Sequence, residues 1–301
     1  MKRRAAPILG GCIVVVALGW VLSRVAGDFG RLDLSMVEPA PIALAFALLV
    51  ASNAVRAMVY AGLIRSVEPE SSITASVRVY LMSQVGRYIP GKLWQHAGAA
   101  YLASRLGVPV TASLVTSVYL TAAHILVGGV LSLGLLSEIA GIQQGVVVLA
   151  AVALAAGIGF ASTPLFPRIL HRISAKVGKP IQFPRLPLTG LLVASGTSLV
   201  VWTLVGGTVI AIFLGLYPSV SGPDLLTAVT AISAAGIAGL LAVVVPSGLG
   251  VREAAFTAIF AGSFGAAEAA LVALVLRVLM TAVELGLALI CFPTTRRSVG
   301  V

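Results

Sequence analysis

The chain has 301 residues, of which 59% are hydrophobic and only 10% charged, and its formal net charge is +10. Soluble domains carry about 25% charged residues, so a chain with a mean hydropathy of +1.07 cannot cover a water-facing surface. The expectation is an all-α polytopic integral membrane protein, with residues 1–301 forming a single transmembrane domain. The two cysteines, Cys12 and Cys291, both lie in apolar sequence, which argues against a disulfide framework and against a cysteine-based metal site.

The first apolar run, about residues 7–26, follows Met1-Lys2-Arg3-Arg4 and imitates a secretory signal. Ala26-Gly27-Asp28 makes a poor cleavage site and the run is long enough to span, so it reads as a retained first helix. Spans follow at about 39–64, 111–136, 145–163, 188–216 and 268–291, giving about six in all. Two further segments, about 73–106 and 224–264, are apolar but interrupted. The first breaks at Pro90-Gly91, the second at Pro246-Ser247-Gly248-Leu249-Gly250.

Charge orients these elements. The N-terminus, the segments 65–105 and 164–187 and the C-terminus together hold fifteen of the 20 basic residues, whereas the alternate loops hold Asp28, Asp33, Glu38, Glu138, Asp224 and Glu268 with only Arg31. Basic loops stay in the cytoplasm, which puts both termini on the cytoplasmic side of the cell membrane. The basic excess reflects topology and anionic lipid, and calls for no nucleic-acid partner. Segment 73–106 then begins and ends inside, as a re-entrant hairpin. Segment 224–264 begins and ends outside, either as a second hairpin or as two crossings of which the second is short. The chain reads as two inverted halves, about 1–137 and 142–293, each with two spans, a broken hairpin and one span, a pattern found in many transporters.

Within span 39–64, Arg56 lies near Asn53 and Tyr60 on one side. In the first broken segment Ser76, Tyr80, Ser83 and Arg87 share a helix face. Arg87, Tyr88 and Lys92 flank the break, and Trp94, Gln95 and His96 follow it. Two cations, an aromatic plane, amide donors and freed backbone N–H groups suit a phosphate headgroup; the competing reading is an interfacial helix snorkelling its bases into headgroups. Gly86–Leu93 approaches a nucleotide-binding P-loop but carries Leu93 where Ser or Thr would hold magnesium, and follows an apolar helix, so nucleotide binding is rejected. His124 stands alone in an apolar span and reads as a buried, satisfied histidine, with a proton carrier as the alternative. After the second break come Arg252 and Glu253, either a local capping pair or a functional one. Arg277, Thr281 and Glu284 share a face of the last span, as an Arg–Glu pair or as part of a polar groove. No metal-ligand spacing and no local catalytic triad is present, and no cofactor is expected.

The stretches Gly86-Arg87-Tyr88-Ile89-Pro90-Gly91-Lys92-Leu93-Trp94-Gln95 and Pro246-Ser247-Gly248-Leu249-Gly250-Val251-Arg252-Glu253 resemble, in order and setting, the flippase-like, lysylphosphatidylglycerol synthase transmembrane-region family. The resemblance covers most of the chain. That family includes the membrane half of the bacterial multiple peptide resistance factor, which flips aminoacylated phospholipids; other members are associated with polyprenyl-phosphate sugar carriers and surface glycans. The resemblance implies lipid translocation. No counterpart of the soluble aminoacyl-transferase domain follows the apolar region, so lipid synthesis is not expected and the chain reads as a non-enzyme.

The expected function is therefore a flippase for an anionic phosphate-bearing lipid, either a phospholipid or a polyprenyl-phosphate-linked sugar. The candidate binding set is Arg56, Tyr80, Arg87, Tyr88, Lys92, Trp94, Gln95, Arg252, Glu253, Arg277 and Glu284. Arg87 and Lys92 would receive the phosphate; Arg56, Arg252 and Arg277 would offset its charge at depth; Glu253 and Glu284 would keep it from being trapped. With no ATP motif, transport is downhill or ion-coupled. The alternative is a non-transporting scaffold that holds an envelope glycosyltransferase or lipid-synthesis enzyme.

Overall fold

The computed structural model describes residues 37–89, 94–140, 165–176, 183–241 and 250–297, together with 152, 156, 157, 163 and 248. Among these residues the regular structure is entirely helical. Of the six spans read from the sequence, the one at 7–26 and nearly all of the one at 145–163 lie outside the described residues. The other four are present as helices long and apolar enough to cross a membrane.

Helix α1 (Pro39–Val67) starts on a proline, which lacks the N–H that would go unbonded there, and runs 29 residues, or about 43 Å at ~1.5 Å per residue. Apolar side chains occupy both of its sides: Leu44, Phe46 and Met58 point outward, whereas Ala45, Leu49, Ala57 and Tyr60 are buried. That all-round apolarity suits a helix with lipid on one side and protein on the other. Helix α2 (Ile73–Ser83) is capped by Ser72, whose Oγ accepts from the Ala75 N–H at 3.3 Å. It tightens into a 3-10 helix at Gln84–Tyr88, and α3 (Trp94–Leu106) resumes beyond the break. At 11 and 13 residues, α2 and α3 reach about 17 and 20 Å, short of the ~30 Å hydrocarbon core.

Helix α4 (Val110–Ala140) follows a glycine turn at Gly107. Helix α5 (Leu165–Lys176) is amphipathic, exposing Arg168, His171 and Arg172. Helix α6 (Leu188–Leu216) is the most deeply buried span. Helix α7 (Leu225–Leu241) and α8 (Val251–Phe264) flank the second break, and α9 (Ala266–Arg297) closes the chain.

Two apolar cores form. One gathers Tyr60, Val79, Tyr80, Ala99 and Val115 from α1–α4. The other gathers Trp202, Phe213, Ile232, Phe256, Phe260 and Val272 from α6–α9. Helices α1 and α6 join them along their length. A small residue sets that approach: a Cβ on Gly215 would lie 2.7 Å from the Ile42 Cδ1, so glycine at 215 lets the two helices pack this closely with Ile42 opposite. The principal helix contacts occur in matched sets. Helix α4 packs on α7 as α9 packs on α2; α3 packs on α4 as α8 packs on α9; α1 packs on α2 as α6 packs on α7; and α4 meets α6 as α9 meets α1.

Candidate functional site

The first break is held by close backbone approach. A Cβ on Gly86 would lie 2.8 Å from the Gln95 Cα and backbone N, so the 3-10 helix can press on the start of α3 only through a glycine. That approach lets Arg87 Nε donate to Gln95 Oε1 at 2.9 Å across the break. Arg87 Nη1 then reaches α9 and pairs with Glu284 Oε1 at 3.0 Å. The Tyr88 hydroxyl lies 3.0 Å from Glu284 Oε2 and 3.2 Å from Thr281 Oγ1. A phenol has one proton, and the carboxylate is the stronger acceptor, so Tyr88 donates to Glu284 and the Thr281 hydroxyl can donate to the phenolic oxygen. Glu284 is thus a buried carboxylate satisfied on both oxygens from the first break.

The second break is built in a parallel way. Gly248, at φ +66°, sits so close to α7 that a Cβ would lie 2.6 Å from the Gly239 carbonyl oxygen. Gly250, at φ +82°, precedes α8, and its N–H donates to Glu253 Oε2 at 2.7 Å. The other carboxylate oxygen faces Arg277 Nη1 of α9 at 3.9 Å. The Arg277 guanidinium also lies over the Tyr88 ring, 5.9 Å from its centroid, within cation–π range. Arg252 gives Nη2 to the Met280 sulfur at 3.2 Å. Arg252, Glu253 and Arg277 line a small cleft with Ile232, Phe256 and Leu276, of about 10 Å³, which is room for one water.

Arg56 forms the third part. Its Nη2 lies 2.7 Å from His124 Nε2 and 3.2 Å from Nδ1. A guanidinium has no acceptor to offer, so the imidazole must be neutral and accept from it. The His124 ring stacks flat on Trp202, with centroids 4.3 Å apart and planes 6° from parallel. Trp202 in turn donates Nε1–H to the His124 carbonyl at 3.1 Å. Gly128 and Gly236 make room for the indole: a Cβ on either would fall 2.6–2.7 Å from it. Tyr80, Arg87 and Glu284 lie within electrostatic reach of Arg56, and Arg56, Arg87 and Arg252 all act on His124.

The residues singled out in the sequence fall as follows. Arg87, Tyr88, Gln95, Arg277 and Glu284 meet in one network, with Glu253 at its edge and Arg252 beside it. Tyr80 is buried against Tyr60, ring centroids 5.4 Å apart. Trp94 opens α3 with 52% of its surface exposed, and Lys92, with Pro90 and Gly91, lies outside the described residues. Ser76, Tyr80 and Ser83 are all buried, but Arg87 sits in the 3-10 helix beyond them and points across to α9. The local pairings offered by the sequence give way to crossed ones: Arg277 faces Glu253 rather than Glu284, and Glu253 caps α8 and faces Arg277 rather than Arg252. His124 has Arg56 as its partner, and Trp202 and Met280 carried no signal in the sequence beyond their apolar bulk. Among the described residues no group of His, Cys, Asp and Glu has the grouping of a metal site.

The model of the family described as the lysylphosphatidylglycerol synthase TM region matches residues 8–288. The chain belongs to that family. The match takes in both breaks, three of the described spans whole and the fourth as far as residue 288, so every residue of the network between the breaks falls within one lysylphosphatidylglycerol synthase TM region. Comparison with curated proteins and with solved structures returns no match.

Proposed function

We propose that the protein is a flippase: a non-enzymatic translocator that carries a phosphate-bearing lipid across the cytoplasmic membrane, both of its own termini lying in the cytoplasm. The observation that carries this reading is the crossed network. A cation at the first break pairs with a carboxylate on α9 (Arg87–Glu284, 3.0 Å), and a cation on α9 faces a carboxylate at the second break (Arg277–Glu253, 3.9 Å). One helix therefore ties both interruptions into a single polar path through an apolar bundle. Ionisable groups at membrane depth cost about 2.5–3.5 kcal/mol each on insertion scales, and structure alone does not require so many of them.

The physical task fits. Acyl or prenyl tails can stay in lipid while only the headgroup needs a polar route. Arg87 is partly exposed, with 29% of its side chain accessible, and it is the receiving cation. Arg56, Arg252 and Arg277 hold the charge deeper, and Glu253 and Glu284 compete with the phosphate for the arginines and so allow release. A cleft of about 10 Å³ is too small for a headgroup, so transport requires the path to open. The matched packing of α1–α4 and α6–α9 supports two inverted halves whose α2–α3 and α7–α8 hairpins enter from opposite faces, and rocking of one half on the other opens the path.

Purified protein in liposomes with a fluorescent anionic lipid or a polyprenyl-phosphate sugar tests this. Parent protein is expected to move the lipid, and Arg87→Ala and Glu253→Gln to slow it at least about tenfold, the worth of one charge-assisted contact. Variants that translocate like the parent would remove the site assignment. Absence of flux together with a stably co-purifying glycosyltransferase or lipid synthase would favour the scaffold reading instead.

A further inference from the structure

The charges of the network do not balance, and the imbalance bears on what the headgroup must be. Among the described residues around the two breaks there are four arginines, Arg56, Arg87, Arg252 and Arg277, against two carboxylates, Glu253 and Glu284. Four against two leaves +2 among the described residues, and Lys92, which lies outside them, adds to that excess. The two carboxylates are committed: Glu284 to Arg87 and Tyr88, Glu253 to the Gly250 N–H and Arg277.

Arg56 and Arg252 are placed differently. Among the described residues neither has a carboxylate within 4.0 Å, although Glu284 lies within electrostatic reach of both and Glu253 within reach of Arg252. Each rests a terminal nitrogen on a neutral acceptor, Arg56 on the His124 ring at 2.7 Å, with the Tyr80 side chain as a further hydrogen-bond partner, and Arg252 on the Met280 sulfur at 3.2 Å. A thioether is a weak acceptor, and an imidazole carries no charge to set against a guanidinium. Cations held in apolar surroundings call for anionic partners. Arg87 links the two, since it lies within electrostatic reach of both Arg56 and Arg252. Arg252 also lines the cleft at the second break.

We infer that the site takes a headgroup bearing two negative charges on phosphate, that is, a phosphate monoester or a substituted diphosphate, in preference to a singly charged phosphodiester. This rests on the headgroup reading above and narrows it: ordinary phosphodiester lipids supply −1 and leave one of the two arginines without a counter-charge. On binding, Arg56 leaves His124 and Arg252 leaves Met280, each exchanging a neutral acceptor for a charged one. The bidentate geometry of guanidinium on phosphate makes arginine the suitable residue at both places.

The test uses full-length protein in nanodiscs of phosphatidylcholine at pH 8, where a phosphate monoester, with a second pKa of about 6, is a dianion. Three probes share one tail: farnesyl phosphate, its methyl ester, and farnesyl diphosphate esterified to glucose. Their charges are −2, −1 and −2. Both dianions are expected to bind at least about tenfold more tightly than the methyl ester, since each gains a further charge-assisted contact. The tighter of the two identifies the source. Arg56→Gln and Arg252→Gln are expected to weaken the two dianions at least about tenfold more than the methyl ester, bringing the three probes to a common level. Arg252→Lys keeps the charge and serves as a folding control; it should retain a preference for dianions.

Equal binding of all three probes to the parent protein overturns the inference while leaving the headgroup reading intact. Loss of all three probes by the same factor in Arg252→Gln overturns it too, because a general cation would do that. Failure of every probe to bind overturns the inference and the flippase reading together.

Discussion

Glu284 is the residue on which most of the network converges. It receives Arg87 and Tyr88 from the first break while sitting on α9. Removing one partner of a buried pair leaves an uncompensated charge, at about 3 kcal/mol. Arg87→Met is therefore expected to destabilise the protein by about that amount, read as a loss of thermal stability in detergent, and Arg87→Met with Glu284→Gln to recover most of it. A double variant no more stable than the single would show that the pair is not coupled. The sequence exposed the residue types but not their partners. Arg277 and Glu284, seven residues apart on one helix, are separated by about 10 Å along the axis, too far to pair directly. Each therefore reaches a neighbouring helix, and nothing in a single sequence names which. His124 shows the same limit: an isolated histidine in an apolar span gives no sign of an arginine 68 residues away.

At the scale of elements, the breaks depend on glycines that allow backbone to approach backbone. Gly86→Ala and Gly248→Ala each drive a Cβ to within 2.8 Å of a neighbouring main chain. Overpacking of this kind costs about 1–3 kcal/mol, and it should also abolish flux, because the 3-10 helix or the α8 start must then shift. Gly236→Ala tests a different contact: its Cβ would meet the Trp202 ring at 2.7 Å and push it off His124, which tryptophan fluorescence should detect as altered quenching. The start of α7 has its own device. Asp224 accepts from the Thr227 N–H at 3.0 Å and its hydroxyl at 2.7 Å, and these bonds hold its carboxyl below the ordinary range. A depressed folded-state value stabilises above about pH 4, the unfolded value, and the gain is lost as pH falls through the folded one. Hydrogen-exchange protection of the first turn of α7 should accordingly fall on acidification below about pH 4 in the parent and be insensitive to pH there in Asp224→Ala. The spans were legible because apolar runs of about 20 residues have few other uses, and the interruptions because Pro and Gly mark them. The 3-10 helix at Gln84–Tyr88 was not, since its residues continue a helical pattern and only the packing on α3 tightens them.

For the whole molecule, the reading in two inverted halves came from loop charges and the order of spans, with no repeat visible residue by residue. The matched contacts of α1–α4 and α6–α9 add a physical argument that no linear pattern carries. They also place α1 against α6 at the join. The ideal Gly215 Cβ lies 2.8 Å from the Ile42 Cγ1, close to the separation of a sulfur from the opposite Cβ in a disulfide. Ile42→Cys with Gly215→Cys, in a chain whose Cys12 and Cys291 are replaced by alanine, should cross-link the halves. Flux should stop on oxidation and return on reduction if the halves rock; unchanged flux in the oxidised protein would rule that motion out. The central claim is that one lipid headgroup is held between the two breaks. It is tested most directly by an experimental map of the protein in nanodiscs loaded with farnesyl phosphate. The account predicts phosphate density within hydrogen-bonding distance of Arg252 and of Arg56 or Arg87, with Arg252 withdrawn from Met280. Phosphate density confined to the exposed basic face of α5 or to the bundle periphery, with the Arg252–Met280 and Arg56–His124 contacts intact, would contradict it.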